Sequence, residues 1–161
     1  MRLVLRDPTL LDTALCATFL LAEDQQQWKE FTGVEFDANQ VAMECWSYSG
    51  PRWAICDNET GDVLAVAGCR LMRPHVYQSW FLSGEALWTH GRDVTSITRA
   101  VMLKMLETGA HRIETLCLES RHKARAWYEQ VGLHFEATFP NYGASGATAV
   151  QYAIYMPAEK Q

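Results

Sequence analysis

At Trp53 the apolar residues of this chain change period, and that change constrains the fold more than any other feature. Before it, Leu11, Ala14, Leu15, Thr18, Phe19 and Ala22 recur at helical spacing, and after it short alternating runs take over. Residues 53–56 and 63–71 read as strands joined by the turn-forming tetrapeptide Asn58-Glu59-Thr60-Gly61, and residues 76–82 make a further strand after Pro74. The helical period then returns and alternates with strands. Asp93 is expected to cap a helix that turns Ile97, Val101, Met102, Met105 and Leu106 inward and closes at Gly109. Residues 111–119 read as a strand. Residues 120–131 read as a helix capped by Ser120 and stopped at Gly132, with strands over 133–139 and 150–156.

The N-terminal third is a strand over residues 2–6 followed by helical stretches. Asp7 with Pro8 is the expected start of the first, residues 25–31 before Gly33 form the second, and Asp37 caps a third carrying Val41, Ala42 and Cys45. The expected fold class is therefore α/β (α+β). A single domain spans residues 1–161, divided into a variable part over 1–48, a core over 53–139 and a last strand over 150–156. A largely antiparallel run of strands leading into a β-α-β-α-β unit is an uncommon order.

Composition excludes several functions. The net charge of −5, without a basic stripe, argues against binding to nucleic-acid backbones. No apolar run reaches the roughly 18 residues of a membrane helix. The first residues lack a signal-peptide pattern, so a cytoplasmic setting is expected. The five cysteines contain no Cys-x-x-Cys pair, which speaks against a disulfide framework or zinc site and for buried thiols. His75, His90, His111, His122 and His134 show no metal-ligand pairing, and no metal is expected.

Chemistry concentrates on the segment 121–133, where Ala124, Tyr128 and Gly132 follow one another in steps of four. That spacing sets Ala124 and Tyr128 on one helix face. The segment resembles the Asn-x-x-Ala-x-x-x-Tyr-x-x-x-Gly-Phe motif of the GNAT superfamily of acyl-CoA N-acyltransferases, with Arg121 at the Asn position and Leu133 at the Phe position. Gly109-Ala110-His111-Arg112-Ile113 resembles the family's entry into its fifth strand. The likeness covers about residues 53–139.

The resemblance implies a mixed central sheet flanked by helices, with two parallel strands splayed around acetyl-CoA or another acyl-CoA. It implies an amine acceptor, either a small molecule or a protein. Tyr128 would then be the general acid that protonates the leaving thiolate, and Glu85, just past the fourth strand, a base for the amine. Leu82, His90, Gly91, Arg92, Arg121 and Ala124 fall where the family holds the cofactor. Only Gly91 stands for the family's glycine-rich pyrophosphate loop, which matches residues 89–94 here, and Asp93 adds a negative charge. More narrowly, Trp80-Phe81-Leu82 and the Trp127-Tyr128 pair resemble small GNAT-like proteins of short-tailed bacteriophages. That likeness implies an alternative role in the virion or its assembly, with other virion proteins as partners and the host cytoplasm or the virion as location.

Overall fold

A computed structural model describes residues 2–156. Met1 and residues 157–161, which the sequence reading assigns to the domain, lie outside the described residues. The chain runs β1 (Leu3–Arg6), α1 (Leu10–Thr18), α2 (Ala22–Thr32), α3 (Ala38–Ser47), β2 (Arg52–Asp57), β3 (Val63–Arg73), β4 (Val76–Ser83), α4 (Glu85–Trp88), α5 (Gly91–Glu107), β5 (Arg112–Leu118), α6 (His122–Gln130), β6 (His134–Phe139) and β7 (Ala149–Tyr155). The seven strands form one sheet in the order β1-β2-β3-β4-β5-β7-β6. Every neighbouring pair is antiparallel except β4 and β5, which run parallel. This is an α+β domain with a mixed sheet.

The alternation of each strand explains the two layers. Ala54, Cys56, Val66 and Leu82 face α1 and α3, where Cys16, Ala17, Leu20, Val41, Ala42 and Cys45 meet them. Ile55 and Ala65, one step out of phase, face Leu87, Val94 and Ile97 on the other side. Farther along that second face, Met102 and Leu106 of α5 pack with Ile113 and Cys117 of β5 and with Tyr152 of β7.

Several helix starts differ from the sequence reading. Thr9, not Asp7, caps α1: its hydroxyl accepts from the Asp12 amide at 3.1 Å, while the Asp12 carboxylate accepts from the Thr9 amide at 2.7 Å. Arg6 forks onto the same carboxylate at 2.7 and 2.9 Å and holds Asp12 down at about 2, tying β1 to α1. Helix α5 begins at Gly91 with His90 as its cap, because the short α4, absent from the sequence reading, hands the chain directly into it. Asp93 instead accepts from the Arg2 amide at 2.8 Å. Helix α6 starts after Arg121 rather than Ser120, since the Arg121 amide closes a turn on the Leu118 carbonyl at 3.1 Å.

Candidate functional site

Strands β4 and β5 pair only at their beginnings, through Val76 with Arg112, Tyr77 with Ile113 and Gln78 with Glu114. Past Gln78 and Glu114 they part. The remaining residues of β4, from Ser79 to Ser83, bond to β3 on one edge only. Alternate backbone N–H and C=O groups of that segment therefore face the gap without a ladder partner. The gap is the throat of one continuous cleft of about 1590 Å³ that reaches both faces of the sheet.

Tyr128 stands at this throat. It lies on helix α6, and its ring packs on Tyr152 at 5.6 Å and Trp127 at 6.0 Å. The hydroxyl faces Thr115 and Cys117 of β5 and the Arg121–Asp24 pair. Burial above all, with the Cys117 and Asp24 groups adding to it, raises the Tyr128 hydroxyl well above the ordinary phenol range, against the opposing pull of Arg121 and Thr115. A phenol so placed keeps its proton at physiological pH.

On the α5–α6 side, Gly91, Arg92, Thr95, Arg99, Lys123 and Ala124 line the cleft. The amides of Gly91, Arg92 and Asp93 form the first turn of a 17-residue helix and have no intrahelical partner. A side-chain atom at Gly91 would meet nothing within 4 Å, so this helix start is uncovered. Arg92, Arg99 and Lys123 are exposed cations along the same groove. His90 is turned away from it, 3.7 Å from the Asp57 carboxylate, and Arg121 is engaged by Asp24 at 2.5 Å and Gln27 at 3.1 Å. Gln27 also accepts from the Leu118 amide at 3.1 Å, which occupies the tip of β5. Between the two helices, Trp127 meets Trp88 edge-on at 5.1 Å and Phe81 at 5.8 Å, and its indole N–H donates to the Thr95 hydroxyl at 3.0 Å.

On the α2–α3 side, the cleft is walled by Trp28, Phe31, Tyr48, Trp80 and Tyr142. Trp80 can lie flat over β3 because its partner there is Gly68, where a Cβ would stand 2.5 Å from the indole. The β6–β7 loop that carries Tyr142 is pinned by Glu30, whose carboxylate accepts from the Ser145 amide at 3.0 Å and the Ser145 hydroxyl at 2.6 Å. Those bonds hold the Glu30 carboxyl below its ordinary range. Because its folded value is depressed, its contribution is present above the ordinary carboxylate range and is lost as pH falls through the lower folded value. The melting-temperature gap between wild type and Glu30→Gln is therefore expected to be full near neutral pH and to close in acid. A gap that stays constant from about pH 7 to about pH 3 would contradict this role.

Seven of the eight residues singled out in the sequence line this one cleft: Leu82, Glu85, Gly91, Arg92, Arg121, Ala124 and Tyr128. Glu85 is exposed at the rim, as the first residue of α4. Of the aromatic wall on the α2–α3 side, the sequence reading named only Trp80. All five cysteines are free and buried, and burial raises Cys117 to about 11 and Cys16, Cys45 and Cys69 to about 12, so none is poised as a nucleophile. Among the described residues, no three His, Cys, Asp or Glu side chains gather as a metal site, and no helix is long and apolar enough to cross a membrane.

With the splayed β4–β5 pair in place, the solved structures similar to this chain can be named. A GNAT-family acetyltransferase from Bacillus anthracis superposes with a TM-score of 0.72 at 15% identity, covering 96% of this chain and 95% of the other. A spermidine N-acetyltransferase from Vibrio cholerae, in a mutant form, gives 0.72 at 13% identity over 96% and 94%. A putative ribosomal-protein-serine acetyltransferase from Vibrio cholerae gives 0.68 at 15% over 97% and 95%. The fold is that of the GNAT acetyltransferases. At these identities the likeness is one of fold. No family model matches the sequence, and no curated protein matches it.

Proposed function

We propose that this GNAT-fold protein transfers an acyl group from acyl-CoA to an amine. The observation that carries the reading is the placement of Tyr128 at the throat where β4 and β5 part. The thioester supplies the activated acyl group. The protein supplies position, donors and a proton. The unpaired backbone of residues 79–83 aligns an extended arm along β4, and the open start of α5, with Arg92, Arg99 and Lys123, receives its anionic end. The amine attacks the acyl carbon, the C–S bond breaks, and Tyr128 gives its proton to the departing sulfur. Glu85 at the rim takes the proton that the amine loses, directly or through water. Holding both reactants in one cleft contributes the rest. The free, buried thiols suit the cytoplasm, where acyl-CoA is also available.

Ligand linkage tests the donor directly. Acetyl-CoA at about 100 times its dissociation constant is expected to stabilise the protein by roughly 2.7 kcal/mol, visible as a rise in melting temperature. No rise at millimolar acetyl-CoA would remove the donor from this reading. One observation favours a second role. Arg121 and the β5 tip are occupied by Asp24 and Gln27, and two indoles meet in the groove, as in a fold kept for binding or virion assembly without turnover. The acetyltransferases named above lend that alternative no support, and amine-dependent release of CoA thiol separates the two.

A further inference from the structure

The α2–α3 half of the cleft holds a cation with no ion-pair partner among the described residues. Arg70 of β3 is half-buried, lines the cleft, and stacks its guanidinium over the Tyr48 ring at 4.5 Å. Among the described residues it meets no carboxylate. The acids nearby are engaged or peripheral: Glu44 accepts from the Tyr48 hydroxyl at 2.8 Å, Asp24 is paired with Arg121, and Glu23 stands exposed at the rim. Strand alternation sets Arg70 on the same face as Trp80, since its neighbour Cys69 packs with the opposite layer. Tyr48 touches both, meeting Trp80 edge-on at 6.3 Å. A stacked, rigid guanidinium beside aromatic walls matches a ligand with a carboxylate and a flat apolar body.

We infer that the acceptor is an amine bearing a carboxylate on an aromatic frame, an aromatic α-amino acid, with Arg70 as its specificity-determining residue. This inference rests on the transferase reading. The carboxylate pairs with Arg70, the ring lies among Trp28, Phe31, Trp80 and Tyr142, and the amine is left to face the throat. The transfer balances as one N–C bond formed and one C–S bond broken, with the Tyr128 proton moved to sulfur and the proton that the amine releases, carried by Glu85 and water, returning the phenolate to phenol.

The test has a kinetic arm and a binding arm. With acetyl-CoA as donor, kcat/KM for L-phenylalanine is expected to exceed that for phenethylamine, which lacks only the carboxylate, by about 10-fold or more, as a charged bidentate pair implies. Arg70→Met keeps the side-chain stem over Tyr48 and is expected to erase the preference by lowering kcat/KM for L-phenylalanine about 10-fold or more. In the binding arm, N-acetyl-L-phenylalanine is titrated against N-acetylphenethylamine without any donor. Tighter binding of the carboxylate compound, lost in Arg70→Met, supports the assignment even if no amine is turned over, in which case only the transferase reading fails. Equal or reversed preference in wild type, or a preference that survives Arg70→Met, overturns it.

Discussion

Tyr128→Phe is expected to lower amine-dependent turnover by about 10²–10⁴-fold, the range for losing a positioned general acid. The fold is expected to tolerate the change. The ring still packs on Tyr152 and Trp127, and the loss is at most one hydrogen bond, worth roughly 0.5–1.5 kcal/mol. Two readouts keep the interpretation clean. The affinity for acetyl-CoA is expected to stay within a few-fold, because the hydroxyl acts on the leaving sulfur and not on the bound donor. The rate deficit is expected to shrink for acyl donors whose leaving group needs no proton, such as thioesters of strongly acidic thiols. A variant that keeps full turnover would remove Tyr128 from the chemistry, whereas one that loses folding as well would show a structural role instead.

The second large effect is structural. Gly50 links α3 to β2 with φ of +120°, and a Cβ there would stand 2.0 Å from the Cys69 carbonyl oxygen. The backbone cannot yield easily, because the residues around it are bonded to β3: the Leu71 amide donates to Ser49 at 2.7 Å and the Cys69 amide to Pro51 at 2.9 Å. Gly50→Ala therefore forces an unfavoured backbone conformation, costing about 1–3 kcal/mol, and strains two hydrogen bonds worth about 0.5–1.5 kcal/mol each. A loss of roughly 3 kcal/mol corresponds to a fall of about 6–12 °C in melting temperature for a domain of this size. A shift below about 2 °C would mean that the α3–β2 junction relaxes freely. The same junction carries Tyr48, so a protein that still folds is expected to lose the stacking of Arg70 and with it any preference for carboxylate-bearing acceptors.

Much of this architecture was legible because it is local. The four-residue steps from Ala124 to Gly132, the alternation in β2 through β4 and the closing glycines after α5 and α6 each depend on neighbours in sequence. The parallel pairing of β4 with β5 follows from a helix lying between them. Other features were not legible, for physical reasons. Helix α4 has four residues, too few to show a period. Asp7, Asp93 and Ser120 all have the chemistry of a cap, yet Thr9, His90 and Arg121 hold those positions. The competition was decided by partners such as Arg6 on Asp12 and the Arg2 amide on Asp93, the latter 91 positions away.

The candidate site divides along the same line. Tyr128 and Ala124 stand on one helix and could be found together. The aromatic half on the α2–α3 side could not, because Trp28, Tyr48, Arg70 and Trp80 come from separate parts of the chain and nothing in their spacing connects them. The fate of Arg121 was hidden too. It sits at the motif position the family fills with Asn, but its guanidinium reaches 97 residues back to Asp24 on α2. Cleft and clamp exist only after the sheet has brought α2 beside α6.

The central claim is acyl transfer to an amine, and release of CoA thiol tests it most directly. Purified protein is mixed with acetyl-CoA and a set of amines that includes L-phenylalanine, phenethylamine and spermidine, and free thiol is followed with time. The account predicts thiol release that requires both protein and amine, saturates with acetyl-CoA, and falls by about 10²-fold or more in Tyr128→Phe. Thiol release no faster than in the protein-free control for every amine, from a folded protein that does bind acetyl-CoA, would contradict it.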